Sequence, residues 1–260
     1  MIGIASKPIA VLRLAGAIMP GRRTNELIAA LNRAARTDSI AAVVLELESP
    51  GGSAAASDSI YLAAAKVARE KPLIAYAPTL CASGAYLVGC AAHELWTQPA
   101  ATVGSIGVIS LRPIATDLLA RLGLSVDVTK SGPLKDMGAF YRWPTETERT
   151  KEGAIVQEYF DLFLKRIHEG RGMPMERCRE IATGEVFTGQ RAVALGLADG
   201  LTDLDGAVEV AAKRAQSQAR YVRWRTQLPF PARVLRPAAW LEQLPEMLVT
   251  RLLSPDAWYL

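Results

Sequence analysis

The chain has 260 residues, half of them apolar and 22% charged, an ordinary globular balance with enough apolar surface for a substantial core. Its net charge is only +4, which gives no ground for a nucleic-acid partner. Two histidines, His93 and His168, are too few for a histidine-cluster metal site, and no cofactor is expected. Three cysteines, Cys81, Cys90 and Cys178, match no metal or disulfide spacing and read as small buried hydrophobes in a reducing compartment.

From the N-terminus, Ile9–Gly16 reads as a strand and Asn25–Ala35 as a helix, with Leu27, Ile28 and Leu31 on one side. Ile40–Leu47 is a nearly unbroken apolar run, the pattern of a strand covered on both faces. Ser-Pro-Gly-Gly, Ser49–Gly52, ends it, and Ser53–Glu70 reads as the next helix. Pro72–Ala77 is a strand and Ala82–Ala92 a helix. The segments HELWTQ and SIGVIS, a helix over Pro113–Leu122 and a strand over Ser125–Thr129 follow. A long helix runs from Thr145 to about Gly170, with Ile155, Tyr159, Phe160 and Phe163 on one side. Shorter elements cover Met175–Ala182, Val186–Thr188, Gln190–Leu195 and Leu204–Ala215. Alternating strands and helices imply parallel sheet covered by helices, an α/β fold. From Ser217 the composition turns to proline, arginine and tryptophan, so residues 1–216 are expected to form the folded domain and 217–260 an extension.

No signal peptide or membrane-spanning run is visible, because the first apolar stretch, Ile9–Met19, is short and interrupted by Arg13 and Gly16. The expected location is the cytoplasm or the cytoplasmic membrane surface. The mixture of Trp, Leu and Arg after Ser217 suits a peripheral membrane contact, and its prolines equally suit packing on a neighbouring subunit.

Chemistry gathers in three places. In Thr79–Tyr86, TLCASGAY, Ser83 stands between a strand and a helix with Ala82, Gly84 and Ala85 around it. Small neighbours allow a tight turn and a close approach by a substrate, and the helix start favours developing negative charge. Alone, Ser83 reads better as a helix N-cap than as a nucleophile. Gly51 and Gly52, just after the buried strand, offer backbone N–H groups for an oxyanion, although a plain strand-ending turn has the same composition. A serine nucleophile needs a base. His93 lies in the same helical region as Ser83, and His168 sits late in the long helix. Lysines Lys130 and Lys135 in KSGPLKD remain, either of which would have to lose its proton well below the usual pKa of about 10.4.

Together TLCASGAYLVGCAAHELW, VGSIGVIS, KSGPLKDMGAFYRWPTETER and GEVFTGQRAVALGLADGL resemble signal peptide peptidase A and its bacterial relatives over residues 8–215. The resemblance implies the ClpP/crotonase-like superhelix of β-β-α units and a Ser–Lys dyad. It assigns Ser83 as nucleophile, Lys135 as general base 52 residues later, and Ser105 as the group that orients the lysine. It matches the oxyanion donors to Gly52, Gly51 and Gly84. It implies hydrophobic peptide substrates such as signal-peptide remnants, and a homo-oligomer with active sites near subunit interfaces. The sequence departs from that family at Ala85, where a second glycine is usual, in lacking the N-terminal anchor, and in the extension after Ser217. A crotonase-type acyl-CoA enzyme on the same fold would not need Lys135. A non-catalytic scaffold would have no reason to keep Ser83, Ser105 and Lys135 together. A stomatin-cleaving Ser–Lys peptidase fits the lysine motif and the spacing less well.

Overall fold

A computed structural model describes residues 6–224. The first strand, β1 (Ile9–Ala15), and the second, β2 (Ala42–Glu48), pair in parallel with Ile9 opposite Ala42 and Leu14 opposite Leu47. Between them runs α1 (Arg22–Arg36). Next come α2 (Ala54–Glu70), capped by Ser53, and β3 (Leu73–Ala77), which lies parallel to β2 on its other side. The chain continues through β4 (Leu80–Ala82), α3 (Gly84–Gly89), β5 (Glu94–Thr97) and β6 (Thr102–Gly104). After α4 (Thr116–Arg121) and the long α5 (Glu146–Arg171) come α6 (Met175–Ile181), β7 (Val186–Thr188), α7 (Gly189–Ala194), β8 (Gly200–Leu201), α8 (Leu204–Arg214) and β9 (Tyr221–Arg223).

The larger sheet has the order β8-β5-β3-β2-β1-β9, with every pair parallel. Successive strand residues point to opposite faces, so covering both faces demands apolar residues throughout. Ile9, Val11, Val44, Ile74 and Tyr76 pack with Ala207, Val208 and Ala211 of α8. Their neighbours Ala10, Leu12, Val43, Leu45 and Leu73 pack on the other face with Leu27 and Leu31 of α1 and Ile60 and Val67 of α2. This is the β-β-α architecture expected of a ClpP/crotonase-like chain, with one difference. The smaller sheet, β4-β6-β7, is mixed: β6 is parallel to β4 and antiparallel to β7.

Three local expectations need correction. The helix expected from Ala82 starts at Gly84, because Leu80–Ala82 pairs with Thr102–Gly104 as strand. The regular part of the following segment is therefore β6, and SIGVIS lies beyond it. Ser125–Thr129 is not a strand: it is exposed and pairs with no strand among the described residues. Residues Tyr221–Arg223, in the expected extension, join the large sheet beside β1, while 225–260 lie outside the described residues. Among the described residues no helix is long and apolar enough to cross a membrane.

Helix α5 spans 26 residues and is fixed at both ends. Thr145 and Glu148 form a reciprocal capping box at its start. Near its end, a Cβ at Gly170 would stand 2.0 Å from the Cys90 carbonyl oxygen, so only glycine lets α5 rest on the end of α3.

Candidate active site

Ser83 sits where β4 turns into α3, at φ 51° and ψ −124°. A non-glycine residue rarely adopts this backbone, and such strain persists only where the surroundings enforce it. Here they do. The Ala82 N–H donates to Ser49 O (3.1 Å), the Ser83 N–H donates to Gly104 O (2.8 Å), and the Leu87 N–H returns to Ser83 O (3.0 Å). Gly51 presses on the turn from the other side: a Cβ there would lie 2.6 Å from Gly84 N and 2.8 Å from Ser83 Cβ. The Ser-Pro-Gly-Gly turn and the Ala-Ser-Gly turn are thus one interlocked structure, although 30 residues separate Gly52 from Ala82.

The three candidate oxyanion glycines differ. The Gly51 N–H donates to Ser49 Oγ at 3.1 Å. The N–H groups of Gly52 and Gly84 have no hydrogen-bond partner among the described residues. They are close to each other, since a Cβ on Gly84 would reach within 3.6 Å of Gly52 N. Two idle amides beside a serine hydroxyl are what a developing oxyanion requires. Gly52 itself is held by Ile18, whose N–H donates to Gly51 O and whose carbonyl accepts from Ser53 N, both at 2.8 Å.

Gly52, Ser83 and Gly84 open into a narrow cleft walled by Leu87, Val108, Tyr159, Leu162 and Phe163. The α5 wall is partly legible in the sequence, in the apolar spacing of Tyr159 and Phe163. Ser57 and Asp58 of α2 also line the cleft, and neither stands out in the sequence. Asp58 is paired with Arg166 at 3.0 Å, and that guanidinium lies 4.3 Å from the centre of the Tyr61 ring. The Ser57 hydroxyl is buried without a partner, against Gly84.

Ser105 is the neighbour of Ser83 across the small sheet. Ala82 pairs with Gly104, so the two serines occupy the next position along adjoining strand ends. Ser105 also has a positive φ, 50°, and its N–H donates to Glu185 O at 2.7 Å. Among the described residues no hydrogen bond or ion pair joins Lys135 to either serine. The lysine is exposed, its N–H donates to Gly132 O at 3.2 Å, and its ammonium has no partner among the described residues. Both histidines are engaged with backbone elsewhere: His93 Nδ1 accepts from Leu73 N at 3.1 Å, and His168 Nδ1 lies 2.7 Å from Met173 O. All three cysteines are free and buried, and burial pushes the Cys90 thiol up to about 12.

The chain thus carries a strained serine on a strand-to-helix turn of a two-sheet α/β fold. The chain belongs to peptidase family S49, whose family model matches residues 65–218, and by class it is a serine peptidase. It is 34% identical to Protease 4 of Salmonella typhi over 80% of this chain and 35% of that one. It is 30% identical to the chloroplastic serine protease SPPA of Arabidopsis thaliana over 80% of this chain and 32% of that one. A Synechocystis sp. protein named provisionally as a protease is 31% identical over 80% of this chain and 75% of its own. The chain therefore spans about a third of the longer of these relatives. In fold it is similar to a serine-to-alanine mutant of a membrane-bound stomatin-specific protease, with TM-score 0.52, 17% identity, and coverage of 86% of this chain and 95% of that one.

Proposed function

We propose that the chain is a Ser–Lys endopeptidase acting on hydrophobic peptides, with Ser83 as nucleophile, Lys135 as general base and Ser105 orienting the lysine amine. The observation that carries this reading is Ser83 at φ 51° beside the free amides of Gly52 and Gly84, at the mouth of an apolar-walled cleft. Neutral Lys135 takes the hydroxyl proton as Ser83 Oγ bonds to the peptide carbonyl carbon. The two amides receive the carbonyl oxygen as it becomes an oxyanion. Lys135 then returns the proton to the leaving amine as the C–N bond breaks, and water releases the acyl group by the same route. The apolar walls suit hydrophobic residues such as those of signal-peptide remnants.

Completing this site calls for the lysine of a second copy. Lys135 stands in a segment that exposes Ile109, Leu111, Leu118, Leu122, Leu124, Val126 and Trp143, a surface that a monomer would leave in water. Packing it on a neighbour would bury those side chains and desolvate Lys135, which lowers the pKa of an amine. Casein or signal-peptide digestion by the wild type, Ser83→Ala and Lys135→Ala tests the roles; activity in either variant removes that residue from the mechanism. Mixing the two inactive variants tests the geometry: recovery supports a site shared between copies, and no recovery under proven subunit exchange places both residues in one chain. Any membrane contact by residues 217–260 is read by liposome flotation with and without them; equal non-binding ends that idea.

A further inference from the structure

Lys135 belongs to a stretch without helix or strand, Lys130–Trp143, yet a general base must be placed to within a fraction of an ångström. What fixes this stretch is the residue next to the lysine. Asp136 Oδ2 accepts from Tyr141 Oη (3.1 Å) and Arg142 Nε (3.0 Å), while Oδ1 accepts from Lys130 Nζ (2.6 Å) and lies 2.9 Å from Arg142 Nη2. The same guanidinium reaches Glu148 with both terminal nitrogens, Nη1 to Oε2 at 2.8 Å and Nη2 to Oε1 at 2.5 Å. Glu148 is buried, with its side chain only 1% exposed, and also accepts from Thr145 N at 2.7 Å in the capping box of α5. A planar, five-donor group is the one side chain able to hold two carboxylates in this way.

We propose that Arg142 is a positioning residue for Lys135, latching the lysine's loop to the first turn of α5 by gripping Asp136 and Glu148 together. The proposal rests on the reading of Lys135 as the base. It also separates the two lysines of the KSGPLKD motif: Lys130 is consumed by Asp136 and Pro133 O, while the Lys135 ammonium has no partner among the described residues. Charge is balanced as well. Asp136 and Glu148 face Lys130 and Arg142, and the next turn of α5 repeats the arrangement, with Glu152 paired to Arg112 and accepting from Ser110 Oγ. Removing Arg142 would leave the two carboxylates facing a single cation, Lys130, and would release the loop from α5.

The test is kcat and KM for a fluorogenic hydrophobic peptide across pH for the wild type, Arg142→Gln, Arg142→Lys, Glu148→Gln and Lys135→Ala. For Arg142→Gln the expected result is a kcat lower by roughly tenfold or more near neutral pH, KM within about twofold, and an acidic limb moved to higher pH. Arg142→Lys restores the charge without the double grip, so its acidic limb returns to the wild-type position while kcat stays reduced. Glu148→Gln keeps the pair with Asp136 and loosens the anchor, lowering kcat; it serves also if Arg142→Gln does not fold. A merely structural salt bridge predicts instead a loss uniform across pH that follows the folded fraction, and that result overturns the proposal. So does a wild-type profile in Arg142→Gln alongside an inactive Lys135→Ala, which leaves the lysine's role intact. An active Lys135→Ala removes both.

Discussion

Ser83 holds its hydroxyl on a backbone that costs an L-residue on the order of 1–3 kcal/mol, and glycine adopts it without that cost. Ser83→Gly is expected to raise stability by about 1 kcal/mol in urea denaturation while abolishing peptide cleavage. Ser57 presents the opposite situation, a buried hydroxyl with no partner. Deleting such a group removes a desolvation cost, so Ser57→Ala is expected to be neutral or stabilising by up to ~1 kcal/mol in the same assay. Gly84→Ala would push a methyl to 2.1 Å from that hydroxyl and is expected to lower both stability and turnover. Ser83, Gly52 and Ser105 could be picked out from the sequence because short motifs surround them. Ser57 and Asp58 could not, since nothing in a helix made largely of alanine says which side faces a cleft 25 residues away in the chain.

Elements were legible in proportion to how completely the fold covers them. β2 lies between helices on both faces, so its apolar run, interrupted only by Glu46 before Leu47, is self-evident. β4 has three residues and is defined by pairing with β6 and by a bridge to Ser49, contacts that no periodicity encodes. Ser125–Thr129 has the apolar alternation of a strand and, among the described residues, no strand to join. Helix α5 shows its start plainly through Thr145 and Glu148. The Arg142 guanidinium and the Thr145 N–H hold the Glu148 carboxyl down at about 2, below its ordinary 4.5. A carboxyl depressed on folding stabilises above its unfolded pKa and loses that contribution as pH falls through the folded value. Acid unfolding monitored by circular dichroism should therefore show a loss of stability between about pH 4.5 and pH 2 that Glu148→Gln diminishes.

At the level of the whole molecule, the exposed apolar segment 109–143 is the feature least compatible with a lone chain: Leu122 is 63% and Trp143 64% exposed. Leu122→Glu combined with Leu124→Glu is expected to shift the sedimenting species to smaller mass and to lower activity in parallel. A mass unchanged by both substitutions would put the interface elsewhere. The α/β class is legible in one sequence because strand and helix patterns are local, whereas the proposed pairing of Ser83 with Lys135 depends on contacts that no local pattern encodes. The long helix adds a mechanical consequence. With its tail seated on Cys90 and its head holding Glu148, α5 is a lever arm about 39 Å long, at 1.5 Å per residue. A tilt of about 1.5° at the pivot carries the far tip roughly 1 Å, a displacement large enough to cost an enzyme about a hundredfold. A methyl group added at Gly170, remote from the chemistry, would thus be felt in turnover.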